Sequence, residues 1–192
     1  MSRLFGVLVS CVAFVSVAAA QAGTWQIDPN HSSAEFAVRH LGLSTVRGVF
    51  TKLTGSAVYD PADPAKATLE AIIDATSVDT RVQMRDNDLR SPHFFDVEKY
   101  PTITFHSTQV KVSGPGRLQI EGDLTMHGVT KRVVLDVEGP TPAMKDQHGT
   151  LHIGASASTT INRHDFGVDG GAGVVGDDVA ITIDTELIQR TK

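Results

Sequence analysis

Residues 79–107 read DTRVQMRDNDLRSPHFFDVEKYPTITFHS. This stretch decides the fold because it is where an alternating chain stops alternating. Most of the sequence places apolar and polar residues with period two, the signature of half-buried strands. Within Asp79–Ser107 the period changes. Thr80 and Gln83 have the spacing of a capping box. Val82, Met84 and Leu89 then recur at roughly helical spacing, and Pro92 predicts a helix end at or before Ser91. The aromatic pair Phe94-Phe95 follows. Tyr100-Pro101 returns the chain to a strand in which Ile103, Phe105 and Ser107 share a face. The expectation is a lid-like helical insertion near residues 80–97 of an otherwise all-β chain. It carries Arg81, Arg85, Asp86, Asp88 and Arg90 beside concentrated aromatics.

On both sides of the insertion about eight strands are readable. Ala34, Phe36, Val38 and His40 alternate on one face. Val46, Gly48 and Phe50 give way to Leu53, Gly55 and Ala57 in the opposite phase, which predicts a bulge near Thr51-Lys52. Ala67, Leu69, Ala71, Ile73 and Ala75 form the next apolar face. After the insertion, Val110 and Val112 are out of phase with Ile103 and Phe105, so an irregularity is expected near Thr108-Gln109. Gly114-Pro115-Gly116 and His127-Gly128 mark turns on either side of Leu118–Met126. Val129–Val137, Leu151–Ile161 and Val179–Leu187 supply the remaining strands. They are separated by a polar loop with Pro140 and Pro142 and a Gly-rich loop over residues 162–176. Such a pattern gives a sandwich or a closed antiparallel barrel. The many small residues at inward positions (Ala34, Gly48, Ala57, Ala67, Ala71, Ala75, Ala155, Ala157) favour a barrel with a partly empty lumen. An eight-stranded barrel can hold one ligand there.

The N-terminus reads as a secretory signal peptide. Arg3 precedes the apolar run Leu4–Val17, and small residues allow cleavage after Ala20 or Ala22. Residues 1–20 are thus set apart from a single barrel domain over 23–192. Leu8-Val9-Ser10-Cys11 loosely resembles a lipoprotein box, but Cys11 lies inside the apolar run. Cys11 is the only cysteine, so the remaining chain is stabilised by its core and not by disulfides. Loss of Arg3 takes the formal charge from −5 to −6. A mildly acidic protein has no electrostatic attraction to nucleic acid or an anionic membrane. No apolar run after the signal peptide is long enough for a membrane span, so the expected location is the periplasm or the extracellular medium.

Several blocks together resemble the YceI-like family of bacterial periplasmic proteins. They are Trp25-x-Ile27-Asp28-Pro29-x-His31-Ser32, Phe36-x-Val38-x-His40 and Gly48-x-Phe50 near the start. Ser77-Val78-Asp79-Thr80, Arg85-Asp86, Leu89-Arg90, Phe94-Phe95-Asp96 and Tyr100-Pro101-x-Ile103-x-Phe105-x-Ser107 form a central block. Gly122–Lys131 and Ile161-Asn162-Arg163-x-Asp165-Phe166-Gly167 complete the likeness. The resemblance implies an eight-stranded antiparallel lipocalin-like barrel whose apolar pore binds polyisoprenoids or comparable long-chain amphiphiles, isoprenoid quinones among them. It implies no catalytic activity and no cofactor beyond such a lipid. Phe36, Val38, Phe50, Leu69, Ile73, Phe94, Phe95, Phe105 and Phe166 are the expected lumen-lining residues. Arg85, Arg90 and Arg163 are head-group candidates for a prenyl pyrophosphate. His40, Tyr100 and Ser107 are the donors expected for a quinone. A homodimer is a candidate assembly.

Each feature has a competing structural reading. His40 lies on an apolar face, where a satisfied core histidine is favoured over a ligand contact. Ser32 fits turn capping after Asp28-Pro29. Arg85-Asp86 fits an ion pair tying the helix to the barrel as well as ligand recognition. Phe94-Phe95 reads as a plug or a gate, and Asn162-Arg163 with Asp165 as an ordering device for the Gly-rich loop. The alternative function is a secreted hydrolase assembling Asp28, His31 or His40, and Ser32 or Ser107. Triads are recognised by geometry and not by chain order, but no Gly-x-Ser-x-Gly elbow is present. Of the eight histidines, His148 and His152 form the nearest promising pair. Spacing fixes no third ligand for them, so no metal site is expected.

Overall fold

The computed structural model describes residues 23–189. The signal-peptide expectation, Cys11 and both cleavage positions lie outside them. The strands are β1 (Gly23–Ile27), β2 (Ser33–His40), β3 (Ser44–Phe50), β4 (Leu53–Tyr59), β5 (Thr68–Asp74), β6 (Val78–Asp79), β7 (Thr102–Gly114), β8 (Arg117–Met126), β9 (Val129–Glu138), β10 (Met144–Lys145), β11 (Leu151–Asn162) and β12 (Val175–Gln189). One helix, α1 (Gln83–Arg90), interrupts them between β6 and β7.

The strands make a closed, eight-staved antiparallel barrel in chain order. Three staves are broken in two. β1 and β2 both pair with β12, β3 and β4 run along β2 and β1, and β5 and β6 run along β4 and β3. β7, β8, β9, β11 and β12 complete the ring, and β12 closes onto the first stave. The phase shift at Thr51-Lys52 is therefore a break between β3 and β4, where the expectation was a bulge within one strand. The irregularity expected near Thr108-Gln109 is a bulge. Ser107 pairs with Gly122 and Gln109 with Glu121, leaving Thr108 unpaired. That extra residue lets Phe105 and Val110 both face inward although an odd number separates them. Val112, beyond it, is 56% exposed.

Closure is uneven. β11 shares twelve register pairs with β12 but only Ser156↔Glu138, Ala157↔Val137 and Ser158↔Asp136 with β9. Past Ser158 the two strands part. The 3-10 turn Arg163–Phe166 packs beside β9 at that end. The β8–β9 hairpin turns at His127-Gly128, both with positive φ, which is the primed turn whose twist suits a two-residue connection.

Helix α1 and the segment after it cover one end. The capping box is not formed: the residue before the helix is Val82, and no side chain caps its N-terminus. Instead the buried Asp86 accepts from the backbone N–H and the hydroxyl of Thr80. Gln83 bonds Asn87 at 2.8 Å. Of the three apolar residues read as a helix face, only Leu89 packs on the core. Val82 and Met84 are exposed. The helix is thus anchored by a buried carboxylate and not by an apolar stripe. It ends at Ser91, as Pro92 requires.

Candidate functional site

Three clusters of buried apolar side chains line the barrel wall. One lies under the helix (Phe50, Val78, Phe94, Ile103), one around Phe105, Leu118 and Leu135, and one at the opposite end (Trp25, Ile27, Leu53, Leu187). They do not fill the axis. A cavity of about 240 Å³ is bordered by side chains of all three. The small residues explain the space: Ala34, Ala57, Ala67, Ala71, Ala155 and Ala157 all border it. Gly48 and Ala75 do not. A Cβ on Gly48 would stand 2.4 Å from the Phe36 ring, so that glycine seats an aromatic against the wall.

Eight of the nine expected lining residues border the cavity: Phe36, Val38, Phe50, Leu69, Ile73, Phe94, Phe95 and Phe105. Phe36, Phe50 and Phe95 form a chain of rings with centroids 5.8 and 5.6 Å apart. Phe166 is the exception. It is 1% exposed and packed in the wall cluster with Ile161 and Val168, because the 3-10 turn carries it away from the axis.

The head-group candidates are placed differently from expectation. Arg85 donates to the hydroxyl and the carbonyl of Thr80 at 2.7 and 2.9 Å, and Arg90 to the carbonyls of Thr76 and Val78 at 2.8 and 2.6 Å. Neither borders the cavity. Arg163 borders it and is 4% exposed. Its guanidinium is taken up by the carbonyls of Gly176, Val168, Gly170 and Val175 at 2.6–3.1 Å. The Ser107 hydroxyl, at the bulge, accepts from the Leu69 N–H at 2.8 Å. Tyr100 packs edge-on to His127 below the Lys99 ammonium. His40 ends β2 opposite Val175, outside the cavity.

Besides Arg163, the cavity is bordered by polar groups that the sequence does not single out. Tyr59 and Thr185 lie at the end away from the helix. Burial pushes the Tyr59 hydroxyl up from its ordinary range. Nearby, Trp25 lies opposite Ala57 across the β1–β4 pairing. Its Nε1–H is buried and is the one such side-chain polar atom without a hydrogen-bond partner among the described residues. The period-two phase of Ala57 and Tyr59 was the available signal for both.

The hydrolase residues do not assemble. His31 Nδ1 meets Asp28 Oδ2 at 2.7 Å, which raises the imidazole pKa and lowers that of the carboxyl. The Ser32 hydroxyl is instead held by Glu186, donating to its carbonyl and accepting from its N–H. Among the described residues no serine hydroxyl is bonded to an imidazole. His148 and His152 are not brought together either. His152 is bound by Glu186 and by Asp146 Oδ2, and His148 contacts Gln147.

The comparisons agree with this architecture. The family model for a YceI-like domain matches residues 25–187. A UPF0312 protein of Vibrio cholerae is 39% identical over 163 residues, covering 83% of this chain and 86% of its own. A crystal structure of a Campylobacter jejuni YCEI protein superposes with a TM-score of 0.70 at 31% identity, covering 80% of this chain and 90% of that one. A polyisoprenoid binding domain from Saccharophagus degradans, implicated in plant cell wall breakdown, shares the fold at a TM-score of 0.62 and 16% identity, covering 88% and 100%. With the domain match spanning nearly every described strand, the chain belongs to the YceI-like family.

Proposed function

We propose that this protein binds the chain of a polyisoprenoid or similar long-chain amphiphile in its lumen and carries it without transforming it. The observation that carries this reading is the apolar cavity along the barrel axis, bordered by Phe36, Phe50, Phe95 and Phe105 and kept open by alanines. The related Saccharophagus degradans barrel, described as polyisoprenoid binding, supports a binding role. The signal-peptide reading of residues 1–20 supports a location in the periplasm or outside the cell. Among the described residues no helix is long and apolar enough to cross a membrane.

Energetics suit a reversible carrier. Each CH₂ removed from water is worth roughly 0.8 kcal/mol, so one five-carbon unit contributes on the order of 3 kcal/mol. A bilayer offers the same gain, so head-group contacts tip the balance between membrane and barrel. Here the arginines argue against a pyrophosphate. Arg85, Arg90 and Arg163 donate to protein oxygens, and diverting them would strand buried carbonyls. A neutral acceptor such as an isoprenoid quinone fits better, with the Tyr59 hydroxyl, which borders the cavity, as its donor.

Mass spectrometry of an organic extract, from protein purified without detergent, tests the reading. A stoichiometric isoprenoid or quinone is expected. A clean extract that stays clean after incubation with native membrane lipids would overturn it. Copurifying prenyl pyrophosphate would overturn the head-group assignment alone.

A further inference from the structure

The break between β1 and β2 does more than turn the chain. Asp28 and His31 lie in it, and β12 brings Glu186 alongside, since the Asp28 N–H donates to the Glu186 carbonyl at 2.8 Å. One donor atom from each of Asp28, His31 and Glu186 falls within 4.8 Å of the others. A second layer stands behind them. His152 Nδ1 bonds Glu186 Oε1, and His152 Nε2 lies 3.3 Å from Asp146 Oδ2. Three carboxylates and two imidazoles thus converge from the β1–β2 break, the loop before β11, β11 itself and β12.

We propose that Asp28, His31 and Glu186 bind a divalent transition-metal ion, zinc being the best match, on the outer wall of the barrel. The donor chemistry selects the ion. One imidazole with two carboxylates suits zinc and its first-row neighbours, whereas magnesium and calcium take oxygen donors. Tetrahedral zinc, with bonds of about 2.0–2.2 Å, holds its ligands roughly 3.4 Å apart, so the donors close by on the order of an ångström. The mobile partners supply that movement: the His31 side chain is 65% exposed and Glu186 35%, while Asp28, at 13%, is the fixed point. His152 and Asp146 act as orienting groups, because a ligating carboxylate is itself normally held by a hydrogen bond. Asp28 also accepts from the Asn30 N–H at 3.0 Å, which fixes its plane.

This site is independent of the lumen, so lipid binding and metal binding stand or fall separately. The simpler role for the same groups is a hydrogen-bonded staple across the strand break. Calorimetric titration of untagged protein with Zn²⁺ separates the two. One saturable site per chain is expected, weakened at least tenfold in Asp28→Asn, His31→Gln and Glu186→Gln and unchanged in His148→Gln. Cobalt provides a second readout. Co²⁺ should give visible d–d absorption in the wild-type protein and lose it in His31→Gln, an exposed substitution that leaves the fold intact by circular dichroism. Absence of saturable binding, or equal affinity in folded His31→Gln, would overturn the metal site and leave the staple.

Discussion

Arg163 is the residue on which charge and burial meet most sharply. A cation bordering an apolar lumen invites a ligand phosphate, but its donors meet four backbone carbonyls from Val168 to Gly176. It is a clasp for the Gly-rich loop. Arg163→Met should cost about 3 kcal/mol in urea denaturation, since buried carbonyls lose charged donors. Arg163→Lys should not restore it, because an ammonium cannot span the same fork. Had the residue been a phosphate receptor, the Met variant would keep stability and lose ligand. The sequence offers loop ordering as one of two readings of this arginine but cannot choose between them, because its partners are backbone atoms. His164, next in the chain, lies between Asp169 at 2.6 Å and Asp177 at 2.9 Å, and these carboxylates, Asp169 foremost, raise its pKa. A raised folded pKa gives stability that is complete below the unfolded value of about 6.5 and lost as pH climbs through the folded one. The urea midpoint should therefore fall as pH rises from about 6.5 through the raised folded pKa. His31 and His152 are raised too and act with the same sign, so the diagnostic is a shallower fall in His164→Gln.

Among the elements, α1 is held by polar anchors. The buried Asp86 binds both Thr80 donors, so Asp86→Ala should cost about 2 kcal/mol by leaving them unpaired. Thermal denaturation of the variant measures this. If a capping box held the helix, Gln83→Ala would be the damaging change instead. The Thr80/Gln83 spacing was legible and misleading: Asp86, six residues on, competes for the same hydroxyl, and sequence gives no sign of which acceptor wins. Strand phase was far more informative. A bulge at Thr108 follows from the odd separation of two inward faces, whereas the shift at Thr51-Lys52 marks a strand break. Phase alone cannot tell these apart, because both insert residues between inward sets. The β9–β11 seam left no sequence trace. Its three register pairs, against twelve between β11 and β12, predict faster hydrogen exchange along the β11-facing edge of Val129–Leu135 than along β11–β12. Equal protection would mean that the 3-10 turn seals the gap.

For the whole molecule, the lumen follows from a choice of small side chains at inward positions, and that choice is legible in the sequence. What resisted reading was the polar chemistry. The arginines are structural, while Tyr59 borders the cavity without a sequence signal of its own, because an aromatic on an inward face looks like core. The lumen assignment can be tested at Ala71, which borders the cavity and pairs with Gly55 and Phe105. In a close-packed core, a large insertion costs about 1–3 kcal/mol through strain. Facing an open cavity, Ala71→Trp has room to turn inward, so the variant should fold with a near-native circular dichroism spectrum. It should lose copurifying lipid and bind added long-chain ligand at least tenfold more weakly. Its neighbour supplies the control. Ile72 is 45% exposed and points outward by strand alternation, so Ile72→Trp adds the same side chain without entering the lumen and should leave ligand binding intact. Full lipid retention in folded Ala71→Trp would move the ligand out of the barrel and overturn the carrier reading with it.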